Sequence, residues 1–228
     1  MNRPSNISPV NPLPPVVIAL VLIMILNEAI FSLGSTGMLP FAGAEGWRIQ
    51  AIQDYGFYGQ IIDDFLARGT MDLDRLIRFF TYPFIHYSFT SAIFGCVFVV
   101  ALGKYVGEIF HPVSVLIIFI GSALGGAIVY GLVLNAPRPL AGAFPSAYGL
   151  IGAFTYILWL KLERLGQNQL AAFRLIGFLM FAQLLFGLLY GGHVRWVSDV
   201  AGFATGFLLS FIVKPGGLAE LRARIRRN

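Results

Sequence analysis

From Pro112 to Leu134 the chain carries no Asp, Glu, Lys or Arg, and the same holds from Pro139 to Leu160 and from Leu175 to Tyr190. Runs of this kind dictate the solvent. A bilayer's hydrocarbon core is about 30 Å thick, and about 20 residues of helix cross it. Inside lipid, backbone N–H and C=O groups must pair within their own segment, which leaves helices as the form such runs take. Three further runs complete the set. Pro15 to Leu33 is apolar apart from Glu28 and Asn27. Phe79 to Gly103 is uncharged when His86 is neutral, and its N-terminal part belongs to the preceding loop. Trp196 to Val213 holds one charge, Asp199. The last two runs of the chain are short and need their flanks to span. The expectation is an all-α integral membrane protein, a bundle of six transmembrane helices.

Composition agrees. Of 228 residues, 57% are hydrophobic and only 12% charged, where an ordinary globular domain has roughly a quarter charged. The formal net charge of +5 sits partly in a short tail, so it signals membrane orientation and gives no nucleic-acid surface. The single cysteine, Cys96, lies in an apolar run. That excludes a disulfide framework and a Cys-based metal site, and neither metal nor cofactor is expected. The bilayer itself is the one certain partner.

Three regions follow. Residues 1–14 are polar and proline-rich and read as a disordered cytoplasmic lead; residues 15–213 form the membrane domain; residues 214–228 form a basic cytoplasmic tail that touches anionic lipid. A signal peptide would use Val16 to Leu26 as its apolar core. Apolar residues run on past Leu26, however, and the small-residue stretch Ala42-Gly43-Ala44 is too distant to be its cleavage site. Residues 34–78 interleave charges such as Arg48, Asp63 and Arg75 with Trp47, Tyr55, Phe57, Tyr58 and Phe65. A connection this long is not structureless, and its aromatics suit an element lying at the membrane interface. Placing the N-terminus inside puts 10 of the 16 Lys and Arg on the cytoplasmic side. N-in, C-in therefore satisfies the positive-inside tendency better than the reverse, as in a bacterial-type inner membrane.

Candidate chemistry centres on Gly142-Ala143-Phe144-Pro145-Ser146-Ala147-Tyr148-Gly149-Leu150-Ile151-Gly152-Ala153, at the start of the fourth run, and on Asp199-Val200-Ala201-Gly202-Phe203-Ala204-Thr205-Gly206 in the sixth. Together with Gly121, Gly125 and Gly126 in the third run, these glycines let helix backbones approach closely. In this register the chain resembles the rhomboid family of intramembrane serine proteases, from about Arg78 to Val213. That family has a six-helix core and a long first loop. Its fourth helix begins Gly-x-Ser-Gly and its sixth carries His-x-x-Gly-x-x-x-Gly.

The resemblance implies the following site. Phe144 stands where the nucleophilic serine belongs, Pro145 where the next glycine belongs, and Asp199 where the histidine base belongs. Phe84-Ile85-His86 resembles the Phe-Leu-His start of the second helix, so the positions of the family's oxyanion histidine and asparagine hold Ser91 and Gly95, and both usual donors are absent. Arg78 matches the Arg of the first loop's Trp-Arg pair, while Trp47-Arg48 lies too far upstream. Phenylalanine has no nucleophilic atom and a carboxylate is a poor base near neutral pH. Pro145 removes a backbone N–H near the oxyanion position.

A shifted catalytic set would have to use Ser146, His193 and Asp199. At about 100° per residue Ser146 lies about 200° around the helix from Phe144, facing away from the old site, and the plainer reading of His193 is an interfacial loop residue beside Arg195 and Trp196. The family's Tyr–His neighbourhood, carried over, implies that Asp199 lies near Tyr148, and a phenol–carboxylate hydrogen bond would then tie the fourth and sixth helices together. Glu28 and Asn27 are read as interfacial. The expected function is that of a rhomboid pseudoprotease, which holds transmembrane segments of client proteins without cutting them. Gly142, Phe144, Tyr148, Asp199, Gly202 and Gly206 are its candidate binding positions. The alternatives are an active intramembrane serine endopeptidase built on Ser146 and His193, and a small transporter or lipid-binding membrane protein.

Overall fold

A computed structural model describes residues 12–37, 41, 43–134, 137–190 and 195–214, the side chains of residue 184 and residues 186–190 excepted. His193, most of the N-terminal lead and the tail beyond Lys214 lie outside the described residues. Among the described residues the chain is helical: α1 (Pro15–Ser35), α2 (Trp47–Tyr55), α3 (Gln60–Arg68), α4 (Leu73–Thr81), α5 (Phe89–Gly107), α6 (Pro112–Val133), α7 (Phe144–Arg164), α8 (Arg174–Tyr190) and α9 (Trp196–Val213).

Local chemistry accounts for the helix starts. Pro15, Pro112 and Pro145 each sit in the first turn of a helix, where the missing N–H would have had no intrahelical partner. His111 accepts from the Val113 N–H through Nδ1 at 3.3 Å and so caps α6. Ser88 Oγ accepts from the Ser91 N–H at 3.2 Å and caps α5. Helix α5 thus begins at Phe89, and the N-terminal part of its apolar run belongs to the loop. The fourth run begins its helix later than its charge-free start at Pro139. Leu140 is taken out of helical conformation by an antiparallel bridge to Phe57, with N–H to O distances of 2.9 and 2.6 Å.

Among the described residues four helices are long and apolar enough to cross a membrane: α1, α5, α6 and α9. Helix α7 has 21 residues but ends in Lys161, Glu163 and Arg164, and α8 has 17 residues. Helix α7 is the most enclosed, with an unbroken buried stretch from Pro145 to Ala153. It packs on α9, α6 and α5. A Cβ on Gly206 would overlap the Gly149 backbone, one on Gly202 the Pro145 carbonyl, and one on Gly152 the Phe203 carbonyl. Small residues here bring the two backbones into contact, which is how helices adhere where lipid is as apolar as leucine.

The long first connection is ordered around its own core, as its length required. Phe57, Ile61, Ile62, Phe79 and Tyr82 pack with Ala127, Tyr130 and Leu140. Arg78 donates to the carbonyls of Gln53 at 2.7 Å and Gly56 at 3.0 Å, and the Tyr82 hydroxyl donates to the Ala123 carbonyl of α6 at 2.7 Å.

Candidate functional site

The approach to α7 is built from three residues that the backbone places tightly. Gly142 has φ +108°, a conformation L side chains rarely adopt, and its N–H donates to the Tyr82 carbonyl at 2.9 Å. The next N–H, of Ala143, donates to His86 Nε2 at 3.3 Å. Phe144 then opens the helix, half-buried.

Its ring borders a cavity of about 260 Å³ lined by Phe98, Phe144, Tyr148, Gln183, Arg195 and Asp199. The family resemblance put Phe144, Tyr148 and Asp199 at one site, and the structure places all three on this wall. Gly142, Gly202 and Gly206 stand behind it as turn and packing residues.

The expected direct bond between Tyr148 and Asp199 is replaced by a relay. The Tyr148 hydroxyl donates to Gln183 Oε1 at 3.2 Å, and Gln183 Nε2 donates to Asp199 Oδ2 at 2.8 Å. A carboxamide has both an acceptor and a donor end, so it can answer a phenol and a carboxylate at once. Sequence reasoning missed Gln183. The available signal was that it is the one carboxamide in the charge-free run from Leu175 to Tyr190, and an amide at that depth needs partners.

At the position of the family's asparagine donor, the space is filled. A Cβ on Gly95 would stand 2.9 Å from His86 Nε2, 3.2 Å from Met24 Cε and 3.6 Å from Ala143 Cβ. Ser91 is half-buried and does not line the cavity. His86 lies in the loop ahead of α5, is 1% exposed, and has its pKa pushed down to about 4, by burial first and by the Arg48 charge, against an upward pull from Glu28. It is a neutral acceptor that holds the start of α7.

Ser146 is fully buried, does not line the cavity, and its Oγ has no hydrogen-bond partner among the described residues. Its proposed partner His193 is outside the described residues.

Glu28 is buried within the protein. Arg48 grips it with both guanidinium nitrogens, at 2.8 and 2.6 Å, and also donates to the His86 carbonyl at 3.1 Å. Ser32 adds a hydrogen bond to the same carboxylate at 2.7 Å. Asn27 beside it donates to the Phe84 carbonyl at 3.2 Å. Arg48 is too far upstream for the family's Trp-Arg position, yet it locks the first connection to α1 and to the loop that carries His86.

The Rhomboid domain family model matches residues 73–216, more than half of the chain. The chain belongs to the rhomboid family. No curated protein matches it. Family membership together with the apolar helices makes it an integral membrane protein. The rhomboid match spans α4 to α9, and so contains both the Gly142 turn and the Asp199 helix. Within that rhomboid domain the wall of the cavity presents an aromatic ring, a phenol, a carboxamide, a guanidinium and a carboxylate.

Proposed function

We propose that this rhomboid protein binds transmembrane segments of other membrane proteins without cleaving them. In this picture it crosses the membrane six times, through α1 and α5 to α9, with both termini cytoplasmic in a bacterial-type inner membrane. The shortness of α8 is met by its flanks, and α7 crosses because it is wrapped by α5, α6 and α9, which shield its less apolar face.

One observation carries the proposal: where a protease of this family needs a nucleophile beside a base, the cavity holds the Phe144 ring beside Asp199, whose carboxylate is engaged by Gln183. A serine protease needs a hydroxyl within reach of a group able to take its proton. Here the residues at those positions are better suited to contact. An aromatic edge and a few fixed polar groups can receive an apolar helix and hydrogen-bond a polar residue on it.

The test is labelling of the purified protein by a serine-directed fluorophosphonate, run with cleavage of a generic rhomboid substrate. The expected outcome is neither labelling nor cleavage, together with site-specific crosslinking of a photoreactive residue at position 144 to a client transmembrane segment. Labelling that Ser146→Ala abolishes would instead establish the Ser146 and His193 endopeptidase.

A further inference from the structure

At the C-terminal ends of α5, α7 and α9 lies a second cavity, of about 620 Å³, and its lining is of a different kind. Tyr105 and Ile109 come from α5 and the turn after it, Leu160, Lys161 and Arg164 from α7, and Lys214 from the end of α9. Phe144 and Arg164 are 20 residues apart on α7, about 30 Å of helix rise, so this groove is remote from the Asp199 site.

We propose that this groove binds one anionic phospholipid, held by its phosphate between Lys161 and Arg164. Lys161 and Arg164 are three residues apart and share a face of α7. Both are exposed, and no ion pair among the described residues engages either. Beside them the lining is apolar and open: Ile109 is 45% exposed and Leu165 59%. Cations next to exposed apolar surface match a ligand that is a phosphate at one end and hydrocarbon at the other.

The α7 C-terminus accounts for part of the charge, because the helix dipole favours Lys and Arg in a last turn. It does not account for an apolar cavity beside them. A free phosphate would leave that apolar lining wet, and a zwitterionic lipid would bring its own cation to a site already lined by Lys161, Arg164 and Lys214. A path for the chains is present: Phe94, Val97 and Tyr105 are exposed at three- to eight-residue spacing along α5, a stripe leading away from the groove. Lipid selection at this end does not depend on whether the cavity at Phe144 cuts or only holds a client.

Native mass spectrometry of the full-length protein in detergent tests the proposal. The probes are phosphatidylglycerol, phosphatidylcholine with the same chains, and glycerol phosphate without chains. The expected result is phosphatidylglycerol binding about tenfold tighter than phosphatidylcholine, in keeping with the pull of two basic side chains on an anionic headgroup. The Lys161→Gln/Arg164→Gln double variant should lose that preference, while Arg174→Gln, an exposed basic residue outside the groove, should keep it. Both altered side chains are exposed, and unchanged helical circular dichroism confirms that the variants fold. Equal affinity for the two lipids would overturn the proposal. So would displacement of phosphatidylglycerol by equimolar glycerol phosphate, which would assign the site to a soluble phosphate compound. Equal loss in Arg174→Gln would reduce the effect to diffuse surface charge and overturn it as well.

Discussion

Gln183 on α8 donates to Asp199 on α9 at 2.8 Å, and its other end accepts from Tyr148 on α7. One neutral side chain therefore joins three helices at the wall of the cavity. Removing it leaves a buried carboxylate short of a donor, a loss of about 1–3 kcal/mol. Gln183→Leu should lower the thermal midpoint in detergent, and the cycle with Asp199→Leu should show a coupling of about 0.6–1.7 kcal/mol, the range met between membrane helices. Strict additivity of the two substitutions would mean that the bond does not form.

The Arg48–Glu28 pair is a larger liability when half of it is removed. Their side chains are 17% and 8% exposed, and stranding one partner of a buried pair costs about 3–5 kcal/mol. Arg48→Ala should destabilise near the lower end of that range, since its guanidinium keeps some solvent contact, and Arg48→Lys should recover only part because it cannot grip both carboxylate oxygens. Denaturant titration followed by tryptophan fluorescence reads both.

Glycine substitutions separate contact from mere helix position. Gly206→Ala places a methyl into the Gly149 backbone, which cannot rotate away, so a loss of about 1–3 kcal/mol or more is expected. Gly177 in α8 has nothing within 4 Å of its Cβ position, and Gly177→Ala should be neutral or stabilise by up to about 1 kcal/mol. Comparing midpoints of the two variants checks the packing of α7 on α9.

Acid should loosen the start of α7. The His86 pKa is lowered to about 4, against an unfolded value of about 6.5. Stability is complete above about pH 6.5, falls as the unfolded state takes up the proton, and stops falling below about pH 4. The protonated ring would also present N–H to the Ala143 N–H that it now accepts from. His86→Gln should flatten the thermal midpoint between pH 4 and 6.5, provided other groups are matched by measuring the difference from the parent protein.

Restoring the missing catalytic residues should not restore cleavage. The Phe144→Ser/Pro145→Gly/Asp199→His variant still lacks the family's histidine at Ser91 and asparagine at Gly95, and His86 and Met24 occupy the space an asparagine at position 95 would need. Removing one oxyanion donor alone costs an enzyme about 10²- to 10³-fold. Cleavage of a generic rhomboid substrate should stay at background, and turnover would show that another donor serves.

Much of this was determined along the chain. Apolar runs set α6, α8 and α9 nearly to the residue, because a backbone in lipid must satisfy itself locally and so obeys local composition. The resemblance of the Gly142–Ala153 and Asp199–Gly206 stretches to the rhomboid motifs pointed to three of the cavity's residues, Phe144, Tyr148 and Asp199. Only the tertiary structure decided who partners them. Gln183 meets Asp199 from another helix, Arg48 meets Glu28 from 20 residues away, and His86 fills the space beside Gly95 across a loop. Leu140 leaves the helix its composition suggested because Phe57 offers it a bridge. Buried polar groups take whichever partner the packing delivers, and long-range proximity leaves no mark on local periodicity.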